Sequence, residues 1–364
     1  MTARPGPDLA ARDAFTAGAT TYRWADVLIS AHLLGDWPVL EARARAGLIV
    51  EAGGGRAAPE TESLANAWRY ERDLLTADDL EAWLRARGLG LGDWAVYLRR
   101  TALRVGASGS GSVDAGRLAD VGASGSGSVD AGRLADAVVL EGICSGTFTT
   151  WADRLAGQAA LHERVREELG TSPPWCTDPA PAGIDEAAPG LGPGGLVGVP
   201  ADVYRERAEL VACVRASAHR CIDELTGPAE LERVVRSRRL EWTRVDLLVA
   251  VVDDLEAARE LLLLVRVDGV AVEEAARLAG ASVEARSSYL DEAGDGLVHL
   301  LTGAGPGDLL GPVAQDGGHL VVQVTARVEP SIDQPAVADR ASGLIVQRAL
   351  AREVRDRVRW HERI

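Results

Sequence analysis

The stretch LTGAGPGDLLGPVAQDGGHLVVQVTAR, residues 301–327, decides how this chain reads. It starts as the last turn of a helix and breaks at Pro306-Gly307. A short apolar run follows (Leu309, Leu310, Pro312, Val313), then a second turn at Asp316-Gly317-Gly318, then a strand of two-residue period. Leu320, Val322, Val324, Ala326 and Val328 fall on one face of that strand. His319, Val321, Gln323, Thr325 and Arg327 fall on the other. A hairpin with an apolar face needs a covering layer, and the helix before it supplies one.

Working outward, LEWTRVDLLVA (240–250) alternates as well. Leu240, Trp242, Arg244, Asp246 and Leu248 oppose Val245, Leu247 and Val249, as in a central strand. DDLEAARELLLLVRVDG (253–269) predicts a helix capped by Asp253 or Asp254, with Leu255, Ala258, Leu261, Leu262 and Val265 inward and Gly269 as the stop. VAVEEAARLAG (270–280) predicts a shorter helix, the residues near Tyr289 a strand, and DGLVHLLTGAG (295–305) a third helix. The order is strand, helix, short helix, strand, helix, strand, strand.

That order, with the phrases DGVAVEEAARLAG (268–280) and PGDLLGPV (306–313), resembles the parvulin, or PpiC-type, peptidyl-prolyl isomerase domain. The resemblance covers about 90 residues and implies a small antiparallel sheet that handles X–Pro bonds. Rotation about such a bond crosses roughly 18–20 kcal/mol set by amide resonance. A catalyst grips the proline ring in an apolar pocket and steadies the twisted amide by hydrogen bonding. The family uses a Phe/Met/Leu pocket and two histidines, one on the first strand and one on the last. Here the first strand has no histidine, Phe15 and Phe148 lie outside the domain, and the one methionine is residue 1. His319 is the remaining catalytic candidate. Anchored on Gly317 it matches the family histidine; anchored on Gly318 it takes the neighbouring aromatic position and Leu320 replaces the histidine. A one-residue slip turns every side chain over, and the shared face of Leu320, Val322 and Val324 favours the second anchor. Trp242, Leu309, Leu320 and Val322 are the candidate peptide-binding residues. No cofactor and no metal are expected.

Residues 20–169 predict a helical module with tryptophan at its seams. WRYERDLLTADDLEAWLRARGLGLGDWAVYLRR (68–100) resembles the N-terminal helical domain of SurA-type chaperones. Thr76 with Asp79 predicts a near capping box, and Gly88 a stop. VGASGSGSVDAGRLAD (105–120) recurs unchanged at 121–136, so 105–136 is expected to be a disordered insert. A Pro/Gly-rich linker (170–200), connecting helices (201–236), the parvulin-like domain (237–330) and a C-terminal helix (331–364) complete the expected layout. In that helix Val346, Leu350, Val354 and Val358 recur every four residues, and it is expected to pack back on the helical module. The fold class is therefore α+β.

A net charge of −15 excludes a nucleic-acid binder, which needs a basic surface. All basic residues are arginine. Cys144, Cys176, Cys213 and Cys221 form no CxxC pair; Cys213 and Cys221 lie roughly 12 Å apart along one helix, so all four read as reduced thiols. No signal-peptide core or membrane span is present, and a cytoplasmic location with no membrane partner is expected. His32, His162, His219, His299 and His361 are scattered without metal spacing. Asp291-Glu292 reads as a helix cap. The expected function is polypeptide binding by a chaperone-like protein with a degenerate parvulin domain. Its expected client is a proline-containing polypeptide, or a ribosomal precursor peptide held during maturation. An active prolyl isomerase and a non-catalytic scaffold among peptide-maturation proteins are the alternatives.

Overall fold

The computed structural model describes residues 9–52, 61–108, 130–171, 173–176, 201–315 and 317–361. These form an α+β fold in two units, Met1–Cys221 with Ala349–Ile364, and Ile222–Arg348.

The second unit is built on a four-stranded antiparallel sheet. Its strands are β3 (Arg244–Val252), β4 (Val283–Tyr289), β5 (Leu309–Gln315) and β6 (Gly318–Val328), in the order β4-β3-β6-β5. Strand β6 is central and long because its alternating branched residues suit a pleat buried on both faces. Residues directly opposite in an antiparallel pair share a face, so the register assigns every side chain. Val252 pairs with His319, Ala250 with Val321, Val249 with Val322 and Leu247 with Val324.

One face carries Ala250, Val252 and Val321 under two helices, α10 (Leu255–Arg266) and α11 (Val272–Leu278). Ala258, Leu261, Leu262, Val272, Ala275 and Ala276 fill that layer. Each fully buried leucine or valine there contributes roughly 1.5–3 kcal/mol. Asp254 caps α10 by accepting from the Ala257 N–H at 2.9 Å. The other face carries Val245, Leu247, Val249, Leu320, Val322 and Val324 against α12 (Asp295–Gly303).

Two details depart from the sequence expectation. The segment before β3 is a turn, the strand starting at Arg244, so Leu240 is exposed and Trp242 lies outside the sheet. Trp242 instead packs with Val234 and Val235 of α9 (Pro228–Ser237) and with Val337, Ala341 and Ile345 of α13 (Pro335–Arg357). Alternation continued one step too far because the turn residues 240–243 mimic a period of two. Asp291 and Glu292 do not cap α12, whose N-cap is Gly294; their carboxylates pair with Arg340 at 2.6 and 3.2 Å.

In the other unit the expected helices appear as α1 (Trp24–Leu33), α2 (Asp36–Ala52), α3 (Thr61–Tyr70), α4 (Ala77–Ala86), α5 (Leu91–Ser108), α6 (Ala131–Cys144), α7 (Thr147–Leu169) and α8 (Ala201–Leu225). The Thr76 capping box is present: Thr76 Oγ1 accepts from Asp79 N at 3.1 Å, and Asp79 accepts in return from Thr76 N at 3.0 Å. Tryptophan does form the seams. Trp68 meets Trp83 and Trp94 at centroid distances of 5.1 and 5.6 Å and donates to the Cys144 carbonyl at 2.7 Å. Gly142 lets α6 and α7 approach, since a Cβ there would come within 2.3 Å of the Phe148 ring.

This unit is not all-α. β1 (Asp13–Ala17), β2 (Thr20–Arg23) and β7 (Val358–Trp360) make a three-stranded sheet ordered β2-β1-β7, with Phe15 opposite Trp360. Helix α13 accordingly stops at Arg357 and Val358 is a strand residue. Leu350 of α13 lies against Gly157, and Arg357 pairs with Glu167 at 2.9 Å.

The duplicated insert is also corrected at its ends. Residues up to Ser108 continue α5, and Ala131 opens α6. Asp130 caps the new helix by accepting from Arg133 N at 2.9 Å, so AGRLAD of the second copy is helical. Residues 109–129 and most of the expected linker, 177–200, lie outside the described residues. Cys176 and Cys213 are joined as a disulfide, against the expectation of four free thiols. Cys213 is too far from its helical neighbour Cys221 to bond to it, whereas Cys176 reaches it from 37 residues away. Cys144 and Cys221 lie outside the disulfide and are buried, and burial pushes the Cys144 thiol up to about 12.

Candidate functional site

The two faces of the four-stranded sheet are covered unequally. Helix α12 has nine residues and spans only part of its face. Beside it opens a cleft of about 320 Å³, within the range of small-ligand sites. Leu247 and Val249 of β3, Leu320 of β6, Val313 of β5, and Leu297 and Leu301 of α12 make its apolar walls. Arg286 and Ser288 of β4, Glu292 and Gln315 complete the lining with polar groups.

A bulge in β5 helps shape this wall. Leu310 pairs with Val322 and Val313 with Leu320, so β5 spends one residue more than β6 between those pairs. Leu310 and Val313, three apart in sequence, thereby pack on the same face. Gly311 permits it, with φ of +117° and a backbone so close that a Cβ would come within 2.5 Å of the Leu320 carbonyl oxygen. Arg327 fixes the far end of α12. Its guanidinium donates to the carbonyls of Leu301 and Ala304 at 2.9 and 3.0 Å, a cation on the negative end of the helix.

Three of the polar lining groups are already engaged. Arg286 pairs with Glu284 at 2.6 Å, Glu292 with Arg340 at 3.2 Å, and the Ser288 hydroxyl donates to the Tyr289 carbonyl at 3.1 Å. No histidine or cysteine is among the residues lining the cleft. Such a site can bury an apolar side chain or a proline ring and hydrogen-bond a backbone at its edge.

Of the residues singled out from sequence, Leu320 lines the cleft. Val322 lies on the same face, fully buried beneath it. Leu309 belongs to the opposite face, packed with the α10–α11 layer, and it is Leu310 that turns toward α12. Trp242 is held in the α9–α13 core, with the Arg340 guanidinium 5.5 Å from its ring. His319 pairs with Val252 and Ala314, which puts it on the α10–α11 side of β6. Its Nδ1 is buried without a hydrogen-bond partner among the described residues. Leu247, Val249, Leu297 and Val313 line the cleft as well, and the alternation of 240–250 is the signal that puts Leu247 and Val249 on one face.

These features define a four-stranded antiparallel α+β unit with one closed face and one cleft. No protein-family model and no curated protein matches the chain. Among solved structures it is similar to foldase protein PrsA from Streptococcus pneumoniae str. Canada MDR_19A, at 10% identity and a TM-score of 0.22, over 58% of this chain and 85% of that one. It is also similar to PrsA from Bacillus subtilis, at 14% identity and a TM-score of 0.21, over 58% and 87%. Scores this low describe a loose likeness; the fold described above rests on the strand order and register of the chain itself.

Proposed function

We propose that the chain is a chaperone-like polypeptide-binding protein whose parvulin-like unit holds extended, proline-containing segments without catalysing their isomerisation. One observation carries this reading: the cleft between α12 and the sheet is walled by Leu247, Val249, Leu297, Val313 and Leu320, and no histidine lines it. Apolar walls with a polar edge suit a proline ring or aliphatic side chain on a strand-like peptide. Ser288, Arg286 and Glu292 are already bonded to neighbours, which leaves the Gln315 amide as the lining group with which to hold a peptide backbone. The client class is an extended polypeptide, a ribosomal precursor peptide in maturation among them, and the working location is the cytoplasm. No helix among the described residues is long and apolar enough to cross a membrane.

A protease-coupled prolyl isomerisation assay on the full chain tests the catalytic half. The expected rate is the uncatalysed one. Turnover that disappears in His319→Ala would overturn the proposal in favour of an active isomerase with an unusual site.

A further inference from the structure

A second constellation lies within the helical unit. His162 comes from α7, Cys213 and Ser217 from successive turns of α8, and Trp175 and Cys176 from the short turn Pro174–Cys176. A ring nitrogen of His162 and both sulfurs lie within 4.8 Å of one another. Around a tetrahedral ion with metal–sulfur bonds of about 2.3 Å and metal–nitrogen bonds of about 2.0 Å, donor atoms stand roughly 3.5 Å apart. The three side chains are thus close enough to share one ion once the sulfurs separate.

Ser217 decides which imidazole nitrogen is available. Its hydroxyl, fully buried, donates to the Cys213 carbonyl at 3.1 Å and accepts from the Trp175 indole N–H at 2.9 Å. The His162 Nδ1 stands 2.8 Å from the same oxygen. With the hydroxyl proton committed, the remaining lone pair takes the Nδ1 proton and leaves Nε2 with a free lone pair. This is the tautomer a ligating histidine needs, fixed by a partner on its other nitrogen. The Arg220 guanidinium, 4.4 Å from the Trp175 ring centroid, holds that turn against α8.

We propose that Cys176, Cys213 and His162, in the reduced protein, form a Cys2His site for a divalent transition metal of the zinc class, with water in the fourth position. In the structure the two sulfurs are bonded to each other. A dithiol reductant breaks that bond and leaves two cysteine thiols while becoming a disulfide itself. The metal ion then displaces both thiol protons, and two thiolates balance its charge. Two softer sulfur donors and an imidazole select zinc or cobalt over magnesium or calcium.

The test uses the full chain, reduced with a phosphine and then titrated with cobalt(II) and with zinc(II). One equivalent of cobalt should bind with thiolate-to-cobalt charge-transfer absorption, and zinc should displace it. Cys176→Ser and Cys213→Ser should each abolish that absorption, while Cys221→Ser keeps it. Ser217→Ala should weaken binding by about 10- to 100-fold, as expected for loss of a partner that orients a ligand. Three results would overturn the site: four free thiols with no cobalt uptake, a Cys176–Cys213 bond that native reduction leaves intact, or cobalt absorption that survives both serine variants. Since two separate half-buried cysteines are tested, one variant that fails to fold still leaves the other to decide.

Discussion

The two faces of the four-stranded sheet teach more together than either does alone. They are cut from the same strands, with Val321 and Val322 adjacent in β6 and both fully buried. One face is closed by α10 and α11. The other is covered by α12 and by Leu290 of the turn before it; Arg327 holds the end of α12, and the cleft opens beside it. The closed face can serve stability alone, whereas the cleft gives the other face room for a ligand. His319 pairs with Val252 of the closed side and is not among the residues lining the cleft, although its other partner, Ala314, reaches the cleft rim.

Substitutions divide along the same line. Leu261→Ala, in the closed layer, should cost about 2–5 kcal/mol in urea unfolding, with unchanged peptide affinity once the folded fraction is allowed for. A selective loss of affinity at this position would break the division of labour. Arg327→Ala removes a charged donor from two helix-end carbonyls and should cost roughly 1.5–3 kcal/mol. It should also loosen α12, seen as faster amide exchange over 295–303 than over 255–266; equal acceleration of both helices would show that Arg327 does not clamp one face.

How much of this was legible in the sequence follows from the same strands. The period-two runs in 240–250 and 319–328 indicated two strands and the facing of Val245, Leu247, Val249, Leu320, Val322 and Val324, because each strand is buried on two sides and its pattern is local; the order of strands in the sheet was not legible. The bulge at Gly311-Pro312 was not legible, so Leu309 was chosen where Leu310 faces α12. Strands of five, four and three residues in DAFTA, TTYR and VRW were missed too. β1 and β7 pair across some 340 residues, and pairing at that distance leaves no mark in a local window. The Cys176–Cys213–His162 group escaped for the same reason, since its members share no spacing motif.

The smaller effects sharpen the comparison further. Leu297→Asp should change stability little, because Leu297 is only half-buried, yet it puts a carboxylate into the apolar wall. His319→Ala should alter neither peptide affinity nor isomerisation rate, with a stability change within about 1 kcal/mol. A drop in affinity at His319 comparable with that of a cleft residue would contradict the register argument.

The most direct measurement is a fluorescence-anisotropy titration of a labelled, extended, proline-containing peptide against the full chain and its Leu297→Asp variant, with circular dichroism confirming that both are folded. Saturable binding by the parent chain, weakened at least about ten-fold in the variant, or roughly 1.4 kcal/mol, is the result predicted. Equal affinity of the two, or no binding by the parent chain, would contradict the claim that the open face of the sheet holds polypeptide.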